Sequence, residues 1–435
     1  MAESILQETG RGWYAHTPRR VLSVVRRGVL DALAGIRWGR IDIRDARGLT
    51  QIGGRDNPGP RVSVQVHDED FWGYVGFGGS TGAGQSFFLG LWDTDDLVDL
   101  VRILVRNRDA LDTMDTGVAR IGMPIYRWFH TRRENSLAGS KSNISAHYDL
   151  GNDFFELMLD RTMMYSSAIY PDADADLETA QRHKLDVICD KLALGPDVHL
   201  LEIGTGWGGL ALHAAQRSGC RVTTTTISAE QHAYATQRVR DAGLEDRVTV
   251  LMQDYRELTG RFDRIVSIEM IEAVGHQYFD VYFAQLERLL ADDGLALIQA
   301  ITIEDSRFDE YVRSVDFIKR FVFPGGCLPS VSRIMDSVKR KTTLRLRHFD
   351  DISDHYARTL GEWQLRCDAN ADALVEMGYD RVFQRLWRYY IAFCQGGFME
   401  RSIGDAQLLF EKGECRLPSP IQSVDRYFQP DGKPA

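Results

Sequence analysis

From residue 197 to residue 303 the chain alternates apolar, β-branched runs with helical ones, and few folds accommodate that rhythm. HLLEIGTG (199–206) is a buried strand running into a glycine turn, and WGGLALHAAQRSG (207–219) reads as a helix. CRVTTTTI (220–227) is a β-branched strand. SAEQHAYATQRVRDAG (228–243) is a helix with a serine cap and Glu230 in its first turn. VTVLMQ, FDRIVSIEM and GLALIQAIT add three strands, with a helix over about 278–290 before the last. Strands alternating with helices predict an α/β fold, a mostly parallel sheet covered on both faces. Ligands of such sheets bind beyond the carboxyl ends of the strands.

The first of those ends carries Glu202-Ile203-Gly204-Thr205-Gly206-Trp207-Gly208-Gly209. Glycines at a strand–helix junction let the chain turn sharply and let a ligand approach the backbone. A dinucleotide fingerprint is G-x-G-x-x-G with an acid about twenty residues on. Here the spacing is G-x-G-x-G, the acid Glu202 precedes the glycines, and the second strand ends in threonines. That combination fits S-adenosylmethionine better than NAD, with Glu202, Gly204, Gly206 and Gly208 as contacts. Thr226 and Gln231 flank the cap of the second helix, within reach of ribose or methionine polar groups. Asp254-Tyr255 ends the third strand, where a carboxylate can accept from an adenine amino group and an aromatic can cover the ring. Without the glycine loop, an aspartate there would read as a turn residue.

The N-terminal part differs in charge and texture. Residues 1–50 hold nine arginines against five acids, although the 435-residue chain has a formal charge of −10. Thr17-Pro18 is a helix start, a capping hydroxyl followed by proline at the first helical position. Val21, Val25, Val29 and Leu33 recur at helical spacing beside Leu22, Leu30 and Ile36, flanked by Arg19, Arg20, Arg26 and Arg27. Such a helix either lies on an anionic membrane surface or packs on its own domain with solvated arginines. RVSVQVHD (61–68) alternates as a half-buried strand does, and the glycine- and aromatic-rich FWGYVGFGGSTGAGQSFF (71–88) suggests short strands and tight turns. WDTDDLVDLVRILVRN (92–107) reads as a capped helix. The expected organisation is a smaller α+β domain over 1–130, a polar linker at 131–146 and the α/β domain over 147–435.

The overall negative charge disfavours nucleic acid as a partner. No apolar run reaches the roughly 18 residues that span a bilayer, and the N-terminus lacks a signal-peptide core. The six cysteines form no CxxC pair, so neither a disulfide scaffold nor a metal site is implied.

Seven ordered blocks give the chain a resemblance: NISAHYDLGNDFFELMLDRTMMYSSAIY (143–170), LEIGTGWGGLA (201–211), TISAEQ (226–231), QDYREL (253–258), RIVSIEMIEAVGH (264–276), FPGGCLPS (323–330) and RYYIAFCQGGF (388–398). Over roughly 270 residues it closely resembles the cyclopropane fatty acid synthase and mycolic acid methyltransferase family. The resemblance implies a Rossmann-like methyltransferase domain that moves the S-adenosylmethionine methyl to a cis double bond of an acyl chain, usually within a membrane phospholipid. It raises the membrane reading of the Arg-rich helix, since family members that act on phospholipid carry a lipid-contacting domain there. The implied location is cytoplasmic, peripherally on the inner face of the membrane, and a homodimer is left open.

By motif, Tyr148 and Tyr165 match aromatics near the cofactor. The family's base looks like a bound bicarbonate. Glu272 matches the glutamate of that cluster, Ile301 its backbone contact and Tyr356 its tyrosine. Ser167 stands where many members have cysteine, and Gln299 where they have histidine. Both can still donate hydrogen bonds to an anion. The branch with SIEMIEAVG and a glutamine at that place includes plant-type enzymes that form rings. Cyclopropane formation is thus the expected outcome. The alternatives are a methyl-branched or methylene-bearing chain from the same substrate, a soluble small-molecule acceptor, or a non-catalytic lipid-binding protein.

Overall fold

The computed structural model describes residues 17–111 and 150–418. Tyr148, the linker at 131–146 and the start of the first resemblance block lie outside the described residues.

Helix α1 (Arg19–Leu33) opens the described chain, followed by strands β1 (Arg40–Asp45), β2 (Gly48–Ile52) and β3 (Arg61–Val66). Helix α2 (Asp70–Phe88), strand β4 (Trp92–Thr94) and helix α3 (Leu97–Arg106) complete this part. The four strands form one sheet in the order β2-β1-β3-β4, in which only β1 and β3 run parallel. Asp96 caps α3 by accepting from the backbone N–H of Asp99, as its sequence predicts.

Two N-terminal expectations need correction. Helix α1 starts at Arg19, with Pro18 in the cap position and no side-chain cap bond. It buries Leu22, Val25 and Val29 while Val21 stays exposed. More substantially, 71–88 is not a set of short strands but a helix kinked at Gly79 (φ 54°). Its glycines serve close helix packing rather than turns. A Cβ on Gly76 would sit 2.1 Å from Val25 Cγ1, and one on Gly84 would sit 2.4 Å from the Phe317 ring. Contacts with neighbouring elements thus outweigh the weak helix propensity of glycine.

The larger sheet has seven strands in the order β10-β11-β9-β8-β5-β6-β7. They are β5 (His199–Ile203), β6 (Arg221–Thr226), β7 (Val248–Met252), β8 (Phe262–Ile268), β9 (Leu290–Ile303), β10 (Arg345–Asp351) and β11 (Ile403–Glu411). β5 to β9 are mutually parallel, and β11 runs antiparallel between β9 and β10. Alternate residues feed opposite faces. Leu201, Ile203, Ile265, Ala296 and Ile298 join one apolar cluster under helices at 279–289 and 331–341. Leu200, Val266, Leu295 and Leu297 join the other, under helices at 177–191 and 209–218. This is the expected α/β sheet covered on both faces, here closed by an antiparallel edge that sequence periodicity did not resolve.

A third cluster crosses between the two sheets. It unites Val25, Trp72 and Phe88 with Phe317, Trp363, Tyr389 and Phe398. Helix α4 (Arg381–Met399) carries much of that surface and packs against both α2 and α3.

Candidate functional site

The glycine loop follows β5 as expected. Gly204, Gly206 and Gly208 all have positive φ (103°, 52° and 84°), a region that side chains with a Cβ rarely adopt. A Cβ on Gly206 would meet nothing within 4 Å, so its surface faces open space. That space is a cavity of about 1370 Å³ lined by the loop, Glu202, Thr226, Gln231, Asp254 and Tyr255. It continues past Glu269, Glu272, Ile301 and Tyr356 to Leu97, Leu104, Val25 and Val24 of the N-terminal part.

Of the expected cofactor contacts, Tyr148 lies outside the described residues and Gly208 faces Ala235, where a Cβ would sit 3.2 Å from the alanine Cβ, while the others line this cavity. Glu202 is buried and accepts from Thr224 Oγ1 at 2.6 Å, and Thr224 is also 2.7 Å from Thr205 Oγ1. Burial pushes its carboxyl up to about 8, so near neutrality it retains its proton. Thr226 Oγ1 donates to Gln231 Oε1 at 2.9 Å, which ties the end of β6 to the next helix. The Tyr255 hydroxyl is buried and has no partner among the described residues, while its ring meets Tyr282 edge-on. Tyr165 lines the cavity, its hydroxyl 2.9 Å from that of Tyr390. A sulfonium nucleoside fits this set: open glycine backbone, a buried acid and an unpartnered phenol.

Asp254 differs from expectation in one respect. Arg256 grips both of its carboxylate oxygens, with Nε to Oδ1 at 2.8 Å and Nη2 to Oδ2 at 2.7 Å. An adenine amino group would therefore share this acceptor with a guanidinium. A carboxylate has about four lone-pair positions, so sharing is feasible.

Behind the loop lies a buried polar cluster. Glu272 accepts from the Ile301 backbone N–H, a donor that the resemblance would give to bicarbonate, and its Oε2 is buried without a partner among the described residues. Burial, and then the neighbouring Glu269, push the Glu272 carboxyl up to about 8. Lys184 is fully buried and donates to Ser166 Oγ at 2.6 Å. Burial lowers its ammonium to about 8 against the pull of Glu269, Asp160 and Asp405.

Sequence reasoning missed the centre of this cluster. Glu269, one residue beyond β8, accepts from the Ser167 backbone N–H at 2.9 Å and from Gln299 Nε2 at 2.7 Å on Oε1. Its Oε2 accepts from the Tyr356 hydroxyl at 2.6 Å. Gln299 Nε2 also reaches Asp405 Oδ2 at 3.1 Å, and Asp405 Oδ1 is buried without a partner among the described residues. The Ser167 hydroxyl does not point to this centre but donates to the Ala168 carbonyl at 3.0 Å. Ser167 N–H, the Gln299 amide, Ile301 N–H and the Tyr356 hydroxyl are thus all satisfied by the protein's own carboxylates. Bicarbonate does not fit here as the resemblance would place it, since every donor assigned to it is occupied. The available signal was a second glutamate three residues before Glu272, at the carboxyl end of a parallel strand. Asp405 gave none, because β11 was not read as a strand.

Residues 135–408 match the profile of the family described as mycolic acid cyclopropane synthetase. The chain is 37% identical over 359 residues to the tuberculostearic acid methyltransferase UfaA1 of Mycobacterium tuberculosis, covering 80% of this chain and 82% of that one. It is 36% identical over 376 residues to the cyclopropane-fatty-acyl-phospholipid synthase of Escherichia coli K12, covering 84% and 92%. Among solved structures it resembles the mycolic acid cyclopropane synthase CmaA1 complexed with SAH and CTAB. There the TM-score is 0.58 and the identity 30%, over 62% of this chain and 98% of that one.

Proposed function

The chain belongs to the mycolic acid cyclopropane synthetase family and is an S-adenosylmethionine-dependent C-methyltransferase, and from that premise we propose that its acceptor is the cis double bond of an unsaturated phospholipid acyl chain. The observation that carries this reading is the cavity. It joins the glycine loop to an apolar passage past Tyr356 and Phe398 towards Leu100, Leu104 and Val29. An acyl chain suits such walls, and a polar soluble acceptor does not.

The chemistry asks for what these residues offer. An alkene is a weak nucleophile, so it must be held in line with the sulfonium methyl and away from water. Its π pair forms the new C–C bond as the C–S bond breaks toward sulfur. A carbocation remains on the other alkene carbon. The rings of Tyr165, Tyr356 and Phe398 and the carboxylate of Glu269 line the cavity and favour positive charge. Loss of a proton from the transferred methyl closes a cyclopropane ring, the default product. Loss after a hydride shift leaves a methylene-bearing chain instead.

The cavity also reaches α1, where Val24 is 72% exposed beside exposed Arg19, Arg20 and Arg27. An apolar tip among arginines supports docking on an anionic membrane at that end. No helix among the described residues is long and apolar enough to cross a membrane.

The test is purified protein with methyl-labelled S-adenosylmethionine and oleoyl- or vaccenoyl-phospholipid vesicles, the fatty esters being read by mass spectrometry and NMR. High-field cyclopropyl protons are the expected result. A branched or methylene chain would correct the product alone, and absence of label from lipid despite cofactor binding would overturn the acceptor.

A further inference from the structure

We propose that the base of this enzyme is the side chain of Glu269, which takes the place of a bound anion, so that turnover needs no bicarbonate. The inference rests on the function proposed above.

Geometry carries it. The Ser167 N–H, the Gln299 amide and the Tyr356 hydroxyl come from three separate parts of the chain and converge on one carboxylate. The fourth donor, Ile301 N–H, is held by Glu272. A free anion would have to displace Glu269 from its partners and sit among the half-buried Glu269 and Glu272 and the buried Asp405, three acids. The nearby cation Lys184 is directed at Ser166. Repulsion therefore disfavours a further negative charge where a built-in one already stands.

The backbone adds a second observation. Glu269 has φ +47°, a left-handed conformation in which glycine would sit without strain. The strand end nevertheless carries a long acidic side chain, and that side chain lines the cavity. Strain of this kind persists where surrounding bonds over-determine the residue. Its own N–H adds one such bond, to the Gln299 carbonyl at 2.8 Å.

The step balances without a co-reactant. A C–H bond of the transferred methyl breaks, and its electron pair forms the bond that closes the ring onto the cationic carbon. The proton moves to the Glu269 carboxylate and leaves to water before the next turnover.

The experiment compares full-length wild type, Glu269→Gln and Glu269→Gly in buffer stripped of carbon dioxide, with and without millimolar sodium bicarbonate. Wild type should turn over equally in both. Glu269→Gln should lose about 100-fold or more in turnover, the scale of a lost general base, with S-adenosylmethionine affinity by calorimetry unchanged. Glu269→Gly, which empties the carboxylate's place, should regain turnover when bicarbonate is added, a rescue that a merely structural residue would not give. A wild-type enzyme that stops without bicarbonate, or a fully active Glu269→Gln, overturns the proposal. The wild-type comparison holds even where a variant fails to fold. Label entering lipid in a bicarbonate-dependent way would sink this inference alone. Label absent from lipid under every condition would sink the acceptor assignment with it.

Discussion

The hydroxyl of Tyr356 donates to Glu269 Oε2 at 2.6 Å while the tyrosine ring lies stacked on Phe398, 4.5 Å between centroids. The pair couples a fixed aromatic wall to a carboxylate that lines the cavity. The bond favours the ionised form and opposes the upward push that burial gives Glu269. A base must be ionised to act, so the tyrosine helps to keep it usable near neutral pH.

Tyr356→Phe keeps the stacking and removes that bond. A charge-assisted hydrogen bond contributes about 1.5–3 kcal/mol, so turnover should fall about 10- to 100-fold. The ascending limb of the kcat–pH profile should also move to higher pH, because the ionised base has lost a donor. Unchanged turnover and an unmoved limb would remove Tyr356 from the base's environment.

Gly206 tests the cofactor placement apart from the chemistry. Its positive φ makes Gly206→Ala cost about 1 kcal/mol in stability, yet the added methyl meets no protein atom within 4 Å. The alanine should therefore fold, melt slightly earlier, and bind S-adenosylmethionine at least about tenfold more weakly, about 1.4 kcal/mol, because the ligand claims that space. Wild-type affinity by calorimetry would show that the ligand does not pack on this part of the loop.

How much of this was legible beforehand depended on whether neighbours or local pattern decided the outcome. The strands from His199 to Ile303 announced themselves because their alternate residues serve two opposed cores, and Gly204, Gly206 and Gly208 because a strand–helix turn needs positive φ. The helix at 70–88 was misread because its glycines answer to Val25 and Phe317, which lie far off in sequence. Glu272 and Tyr356 were found through resemblance, and resemblance also hid Glu269. A motif directs attention to the positions it shares, whereas Glu269 acquires its meaning only when Ser167, Gln299 and Tyr356 are seen to meet on it.

Helix α1 separates structural from surface arginines. Arg26 pairs with Asp45 at 2.6 Å and lies over the Trp72 ring, so Arg26→Ala should cost about 1–2 kcal/mol in stability. Arg19, Arg20 and Arg27 are exposed, and changing all three to glutamine should leave the melting temperature unchanged. The triple variant should instead sediment less with anionic vesicles, most clearly at low salt. Equal sedimentation of wild type and triple variant would leave α1 with a packing role alone.

Glu202 gives a pH signature with a definite sign. Its carboxyl ordinarily titrates at 4.5 and is pushed up to about 8 by burial. Between those values the unfolded chain has released this proton and the folded one still holds it. The group's stabilising contribution is therefore complete below about 4.5 and is lost as pH rises toward 8. Glu202→Gln cannot ionise and lacks this loss. The melting temperature of the variant minus that of wild type, measured without cofactor, should climb from pH 5 to pH 8 and then level off. The gain should amount to about 1 kcal/mol or more, since a tenfold difference in proton affinity between the folded and unfolded chain corresponds to about 1.36 kcal/mol. Glu269, Glu272 and Asp405 are present in both proteins and cancel in the difference. A difference that stays flat or falls over this range would mean that Glu202 is ionised in the native cavity, and the ligand would then meet a full charge rather than a neutral acid.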